Sequence, residues 1–551
     1  MFFLKPYKKE QIMTSDQDPI LLKNGFIIDG SGSKGFKGNL LIQGKTIKAI
    51  SRQEIPEPSR VIDCTHKTIT PGFIDMHSHN DWFLPNAARP ELTTPFTEQG
   101  ITTFVGGNCG FSAAGLKPDS DFKTLIEENN LFKTGTPTLK WASMAEYGAH
   151  LKTNGITHNL SILAGHGTAR ASVCGGNPSP LAPDQMKEVL YLLEKAMDEG
   201  AKGVSFGFQY APGIFAQKNE IQQIAALVKR KNKILTVHQK AYSSISAAYP
   251  LIPFGKAHNL IALEEMLDLA RETGVRLQLS HLIFVGTKTW KTFDRAMGLI
   301  DRAMADGVDL MLDTYAYHCG ASIITVLLPD WFMATAPASF YDKTLIFKVR
   351  LLAALSFRLL GFGFEDIQIA SAVHEPFNRF NGMFLSDIAK QRRVSPFENY
   401  MDFIRHSHGT ARVLMHRYSS PKIVDELIGH KAALFMTDAW AEPDGLQNPA
   451  AYGCFPKFIE MTRDRQLLTS EQVIHKMTGA SAQRFNISDR GILEKGKAAD
   501  INILDWDRVR DNTTLERTDL RPSGVESVFI NGVQVVENGR ADTTIRPGLV
   551  I

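Results

Sequence analysis

The middle of the chain alternates short apolar runs with longer amphipathic stretches. The runs cover residues 72–74, 101–106, 160–165, 203–206, 234–238, 275–281, 308–313 and 433–438. Each is apolar almost throughout, the pattern of a parallel strand covered on both faces. Residues 183–199 and 263–273 read as helices between them, closed by Gly200 and Gly274. Eight such units predict an α/β fold, a (β/α)8 barrel whose chemistry sits at the C-terminal ends of its strands. Roughly a hundred residues separate the seventh run from the eighth, well beyond an ordinary connection, which predicts an inserted subdomain or lid. It is expected at about 318–385.

The two ends of the chain have a different texture. Residues 20–61 alternate in short stretches broken at Asn24-Gly25 and Gln43-Gly44, and residues 499–505 and 525–533 repeat that pattern. The expectation is one small β-sandwich built from 20–68 plus 487–551, with the barrel over 69–486 between its halves. Residues 1–19 are read as an N-terminal extension, with either Met1 or Met13 as the start.

Polar residues cluster where the apolar runs end. The first run leads into His77 and His79, one residue apart and so on the same side of an extended chain. A lone His-x-His pair is a weak signal. Here the second run ends at Asn108-Cys109-Gly110, the third at Gly165-His166, the fifth at His238, the sixth at His281, the seventh at Asp313 and the eighth at Asp438. One such histidine is ordinarily a satisfied core residue. A ligand-type residue at the end of strand after strand is hard to obtain by chance, and imidazoles converging with a thiol and a carboxylate suit a divalent metal. His374, His406, His408, His416 and His430 lack this context.

Composition narrows the field without choosing within it. With 61 basic and 58 acidic residues the formal charge is +3, and no basic tract interleaved with aromatics points to nucleic acid. Five widely spaced cysteines fit reduced thiols rather than a disulfide framework. No membrane span is expected, since the most apolar stretch, 345–364, contains Lys348, Arg350 and Arg358. The expected compartment is the cytoplasm. The same stretch has apolar residues on several faces, leaving a buried lid helix, an oligomer interface and an apolar channel as open readings.

The motifs Pro71-Gly72-Phe73-Ile74-Asp75-x-His77-x-His79, Gly107-Asn108-Cys109-Gly110, Gly165-His166, Ser280-His281 and the late Asp438 resemble the amidohydrolase superfamily, and within it the N-acyl-D-amino-acid deacylase (D-aminoacylase) branch. The resemblance implies a zinc-dependent hydrolase of a linear amide. It implies one tight zinc site at Cys109, His238 and His281, and a second, weaker or vacant one at His77, His79 and Asp438. Asp438 is the implied general base and acid. Tyr315, Tyr317, Lys240 and His166 are the expected substrate contacts.

The chain departs from that branch where a substrate carboxylate would be held. Ile283 stands at the lysine position after His281, and Ala450 at the arginine position before Gly453. Lys240 or Arg379 could replace the missing charge; otherwise the substrate is a neutral or larger amide, the reading preferred here. Two alternatives stand beside the deacylase: a cyclic-amide hydrolase of the dihydroorotase or hydantoinase kind, against which the fourth run has no lysine, and a non-catalytic scaffold.

Overall fold

The computed structural model describes residues 18–128, 138–252 and 254–551; the extension that includes Met1 and Met13 lies outside them up to residue 17. Parallel strands carry the middle of the chain. Phe73–Asp75, Ile101–Gly106 and Asn159–Ile162 form one sheet, with Phe73 opposite Ile101 and Thr103 opposite Asn159. Ala164–Gly165 continues the third strand into a second sheet with Gly203–Gly207, Ile234–His238, Arg276–Leu279, Leu310–Thr314 and Ala433–Phe435. Numbered in chain order, these are barrel strands 1 to 8.

The break in strand 3 at Leu163 is bridged by Leu163 N donating to Gly106 O. The circle closes where Asp438 N donates to His77 O at 3.0 Å, and where Asp75 accepts from Thr437 N at 2.9 Å and Thr437 Oγ1 at 2.6 Å. Strands 1 to 5 and 8 are buried at every position, as a sheet roofed by helices on one face and filled by side chains on the other requires.

Both chain ends meet in one nine-stranded sheet. Thr68–Pro71 pairs antiparallel with Ile501–Leu504, Pro71 opposite Ile501, and joins the N-terminal strands to the C-terminal ones. This sheet has a core of its own that includes Leu22, Leu40, Ile69, Ile501 and Phe529.

After strand 7 the chain builds a three-stranded sheet from Gly320–Ile323, Arg412–Met415 and Ile367–Ser371, the middle one antiparallel to both others. The insert therefore continues past residue 385, because its central strand arrives last in sequence. Its separate core includes Phe332, Phe340, Ile369 and Phe403.

Candidate metal centre

Six side chains converge at the C-terminal end of the barrel, delivered by five pieces of backbone. His77 and His79 follow strand 1, Cys109 follows strand 2, His238 ends strand 5, His281 follows strand 6 and Asp438 follows strand 8. The Cys109 Sγ lies 3.3 Å from His77 Nε2, 3.4 Å from His281 Nε2 and 3.6 Å from His238 Nδ1. Asp438 Oδ1 lies 3.3 Å from His79 Nε2 and 3.5 Å from His77 Nε2. His238 Nδ1 and His281 Nε2 are 2.9 Å apart.

These donors form one continuous cluster rather than two separate triads. Cys109 completes a compact set both with His77 and His79 and with His238 and His281, and His77, His281 and Asp438 make a third. The donor set fits a divalent metal. Bond lengths of a tetrahedral zinc with thiolate and imidazole ligands place sulfur and nitrogen donors about 3.5 Å apart, which matches the spacings around Cys109. The outward nitrogens, His238 Nε2 and His281 Nδ1, have no hydrogen-bond partner among the described residues.

Burial is the first cause of the electrostatics here. It pushes the imidazoles of His79, His238 and His281 down, His281 to about 4, which keeps them neutral and able to ligate. Burial also lowers His77, but the charges of Cys109 and Asp438 and a hydrogen bond with Asp313 outweigh it and raise that ring. For Asp438 burial raises, and His77 and His281 together with the His79 hydrogen bond override it, holding the carboxyl well below the usual range. Burial pushes the Cys109 thiol up, so a bound cation is what would deprotonate it.

The backbone is strained where the donors sit. Cys109, His281 and Asp438 have φ of +53°, +32° and +47°, in the left-handed region that non-glycine residues seldom occupy. Supporting groups fix those turns. Asp313 accepts from His281 N at 2.6 Å and from Gln278 Nε2 at 2.9 Å, and lies 3.4 Å from His77 Nδ1. At the end of strand 4, Gly207 packs on Cys109, where a Cβ would stand 2.0 Å from the Cys109 carbonyl oxygen. The cysteine turn thus occupies the ground above that strand end, and no lysine stands there.

The expected substrate contacts divide. Tyr315 is buried, its phenol raised first by burial and then by the Asp438 charge. Tyr317 Oη instead donates to Asp511 at 2.8 Å beneath Lys457, and Lys240 is ion-paired with Glu265 at 3.0 Å. His166 is fully buried against Glu220 at 2.7 Å, with Arg170 on the same carboxylate, and makes no hydrogen bond to the six donors. Arg379 is exposed and stacks on Phe380.

The pocket has further walls that strand-end reasoning passes over. Tyr210 and Tyr242 pack on His238 at ring distances of 4.7 and 5.0 Å, and Trp440 packs on His79 at 6.1 Å. Tyr418, just after the insert's central strand, has its phenol raised first by burial and then by the Asp438 charge. Tyr242 and Trp440 lie four and two residues after a donor, the one sequence signal that could have singled them out.

Comparison with known proteins agrees with this geometry. A sequence model described as the amidohydrolase family matches residues 363–536. Over that stretch the chain resembles the amidohydrolase family. It is 26% identical over 527 residues to the D-aminoacylase of Alcaligenes xylosoxydans xylosoxydans, covering 95% of each chain. It is 27% identical to the N-acyl-D-glutamate deacylase of the same organism, covering 97% of this chain and 96% of that one. The solved N-acyl-D-glutamate deacylase of Bordetella bronchiseptica, complexed with zinc and a phosphonate inhibitor, superposes with a TM-score of 0.77 at 26% identity, over 96% of this chain and 98% of that one. The likeness is thus to the D-aminoacylase branch, and this chain is a metal-dependent hydrolase of carbon–nitrogen bonds other than peptide bonds.

Proposed function

We propose that this chain is a zinc-dependent deacylase of linear N-acyl amides. The observation that carries the reading is the thiol of Cys109 set 3.3–3.6 Å from three imidazole nitrogens. Thiolate with imidazole selects zinc over the hard, oxygen-preferring cations. Cys109, His238 and His281 would hold the essential ion, and His77, His79 and Asp438 the weaker position, with His77 close enough to Cys109 to join either. The chemistry such an ion supplies is Lewis acidity, which acidifies water and polarises a scissile carbonyl.

The chain's own residues do the rest. Asp438, ionised and bonded to His79, takes the proton of the attacking water and returns it to the leaving amine nitrogen. Asp313 and Asp75 orient His77 and the strand ends, as carboxylates behind metal-ligating groups do. Tyr210, Tyr242, Tyr315 and Trp440 bound the pocket with apolar faces and neutral hydroxyls. With Lys240 committed to Glu265 and Arg379 turned to Phe380, this lining supports a neutral or larger amide. The cyclic-amide reading is set aside because Gly207 stands where strand 4 would have to present a lysine.

One observation favours a second reading. Arg412 is buried on the insert's central strand, its guanidinium 5.9 Å from the Trp440 ring and in a long ion pair with Glu442 at 3.6 Å. That cation could receive a free α-carboxylate. A hydrolysis screen of N-acyl-D-amino acids against their carboxamides and simple aryl amides decides. Preference for the carboxamides is expected; preference for the free acids, lost in Arg412→Met, would overturn the neutral-substrate reading.

A further inference from the structure

The insert helix Lys343–Leu360 has two apolar sides. On one, Val349 is buried, and Ile346, Ala353, Phe357 and Leu360 pack partly against the insert core. On the other, Phe347, Leu351, Leu355 and Leu359 recur every four residues and are 60, 57, 52 and 40% exposed. Lys343, Lys348, Arg350 and Arg358 are exposed along the same side, and the helix contains no acidic residue. None of the four cations is ion-paired among the described residues. Tyr341, just before the helix, is exposed as well.

We propose that this face docks on an anionic lipid surface, with the helix lying in the plane of the interface. An exposed leucine and phenylalanine stripe among unpaired cations is the composition that buries apolar side chains at the acyl boundary while the cations meet anionic headgroups. A second copy of the chain is a poorer occupant, since pairing the two stripes would set cations against cations with no carboxylate on the helix to oppose them. The helix does not span: no helix among the described residues is long and apolar enough to cross a membrane. Its C-terminal end is fastened to the segment that follows His281, with Lys288 N donating to Leu360 O at 3.0 Å and Thr287 N to Gly361 O at 3.3 Å. The lipid-facing helix therefore lies at the end of the barrel that carries the metal centre.

The test is co-sedimentation of the full chain with vesicles of phosphatidylcholine alone or mixed with phosphatidylglycerol, alongside sedimentation velocity without lipid. Binding to the mixed vesicles is expected, at least about tenfold tighter than to phosphatidylcholine. Leu351→Ser with Leu355→Ser, and separately Lys348→Glu with Arg350→Glu and Arg358→Glu, should each weaken it about tenfold or more with an unchanged circular dichroism spectrum. No binding by the unaltered chain, or binding that both variants keep, would overturn the proposal. So would a dimer that Leu351→Ser with Leu355→Ser dissociates, which would assign the face to a second copy.

Discussion

The barrel and its insert invert the usual distribution of side chains in opposite ways. The barrel buries four histidines, a cysteine and several aspartates at its C-terminal end, whereas the insert exposes a row of leucines and a phenylalanine. Burying an unpaired polar group costs more than exposing an apolar one. The barrel therefore reveals its function in the interior, through donors that satisfy one another only if something sits between them. The insert reveals it at the surface, through apolar area that none of the described residues covers.

The largest expected effect breaks the barrel's side of that comparison. Cys109→Ala should lose bound metal and reduce turnover by more than the roughly hundredfold typical of changes behind a metal ligand, checked by elemental analysis beside a rate assay. Asp438→Asn should differ in kind. It keeps the metal while kcat falls about 10²- to 10⁴-fold, and a variant with near-normal kcat would remove Asp438 from its role.

A third prediction concerns a buried imidazole remote from the donors. His158 packs tilted against Phe104 at 4.4 Å, bonds Thr97 at 3.1 Å, and is pushed by burial down to about 3. Because its folded value lies below the ordinary 6.5, its stabilising contribution is complete above 6.5 and is lost as pH falls from there toward about 3. Denaturant midpoints measured across that window should fall by roughly a few kcal/mol equivalent, and His158→Gln should flatten the fall. The smallest effect belongs to the insert: Leu351→Ser with Leu355→Ser should change unfolding stability by less than about 0.5 kcal/mol per site, since neither side chain is buried. A larger loss would mean that the stripe packs within the chain.

How much of this was legible in the sequence follows from what each part depends on. The barrel could be read because each strand is a short apolar run and each donor stands at its end, positions fixed by local pattern. Joining of the chain ends was legible from their shared alternation. The cluster's membership followed, but not its continuity: the 3.3 Å approach of Cys109 to His77 depends on left-handed turns that no periodicity announces. Tyr317, Lys240 and His166 were expected at substrate by position, yet their geometry ties them to Asp511, Glu265 and Glu220, partners distant in sequence. Tyr210 and Tyr418 escaped notice because loops carry them. The insert helix was open to a buried reading because hydropathy reports what a residue prefers, not whether a layer exists to cover it.

The proposed zinc-dependent centre at the barrel mouth is what sets this protein's chemistry. Its most direct test is to strip the protein with a chelator, confirm by elemental analysis that the metal is gone, and titrate zinc back while following amide hydrolysis. Activity should vanish with the metal and return with the first equivalent of zinc. Metal-free protein that hydrolyses amides at the full rate would contradict it.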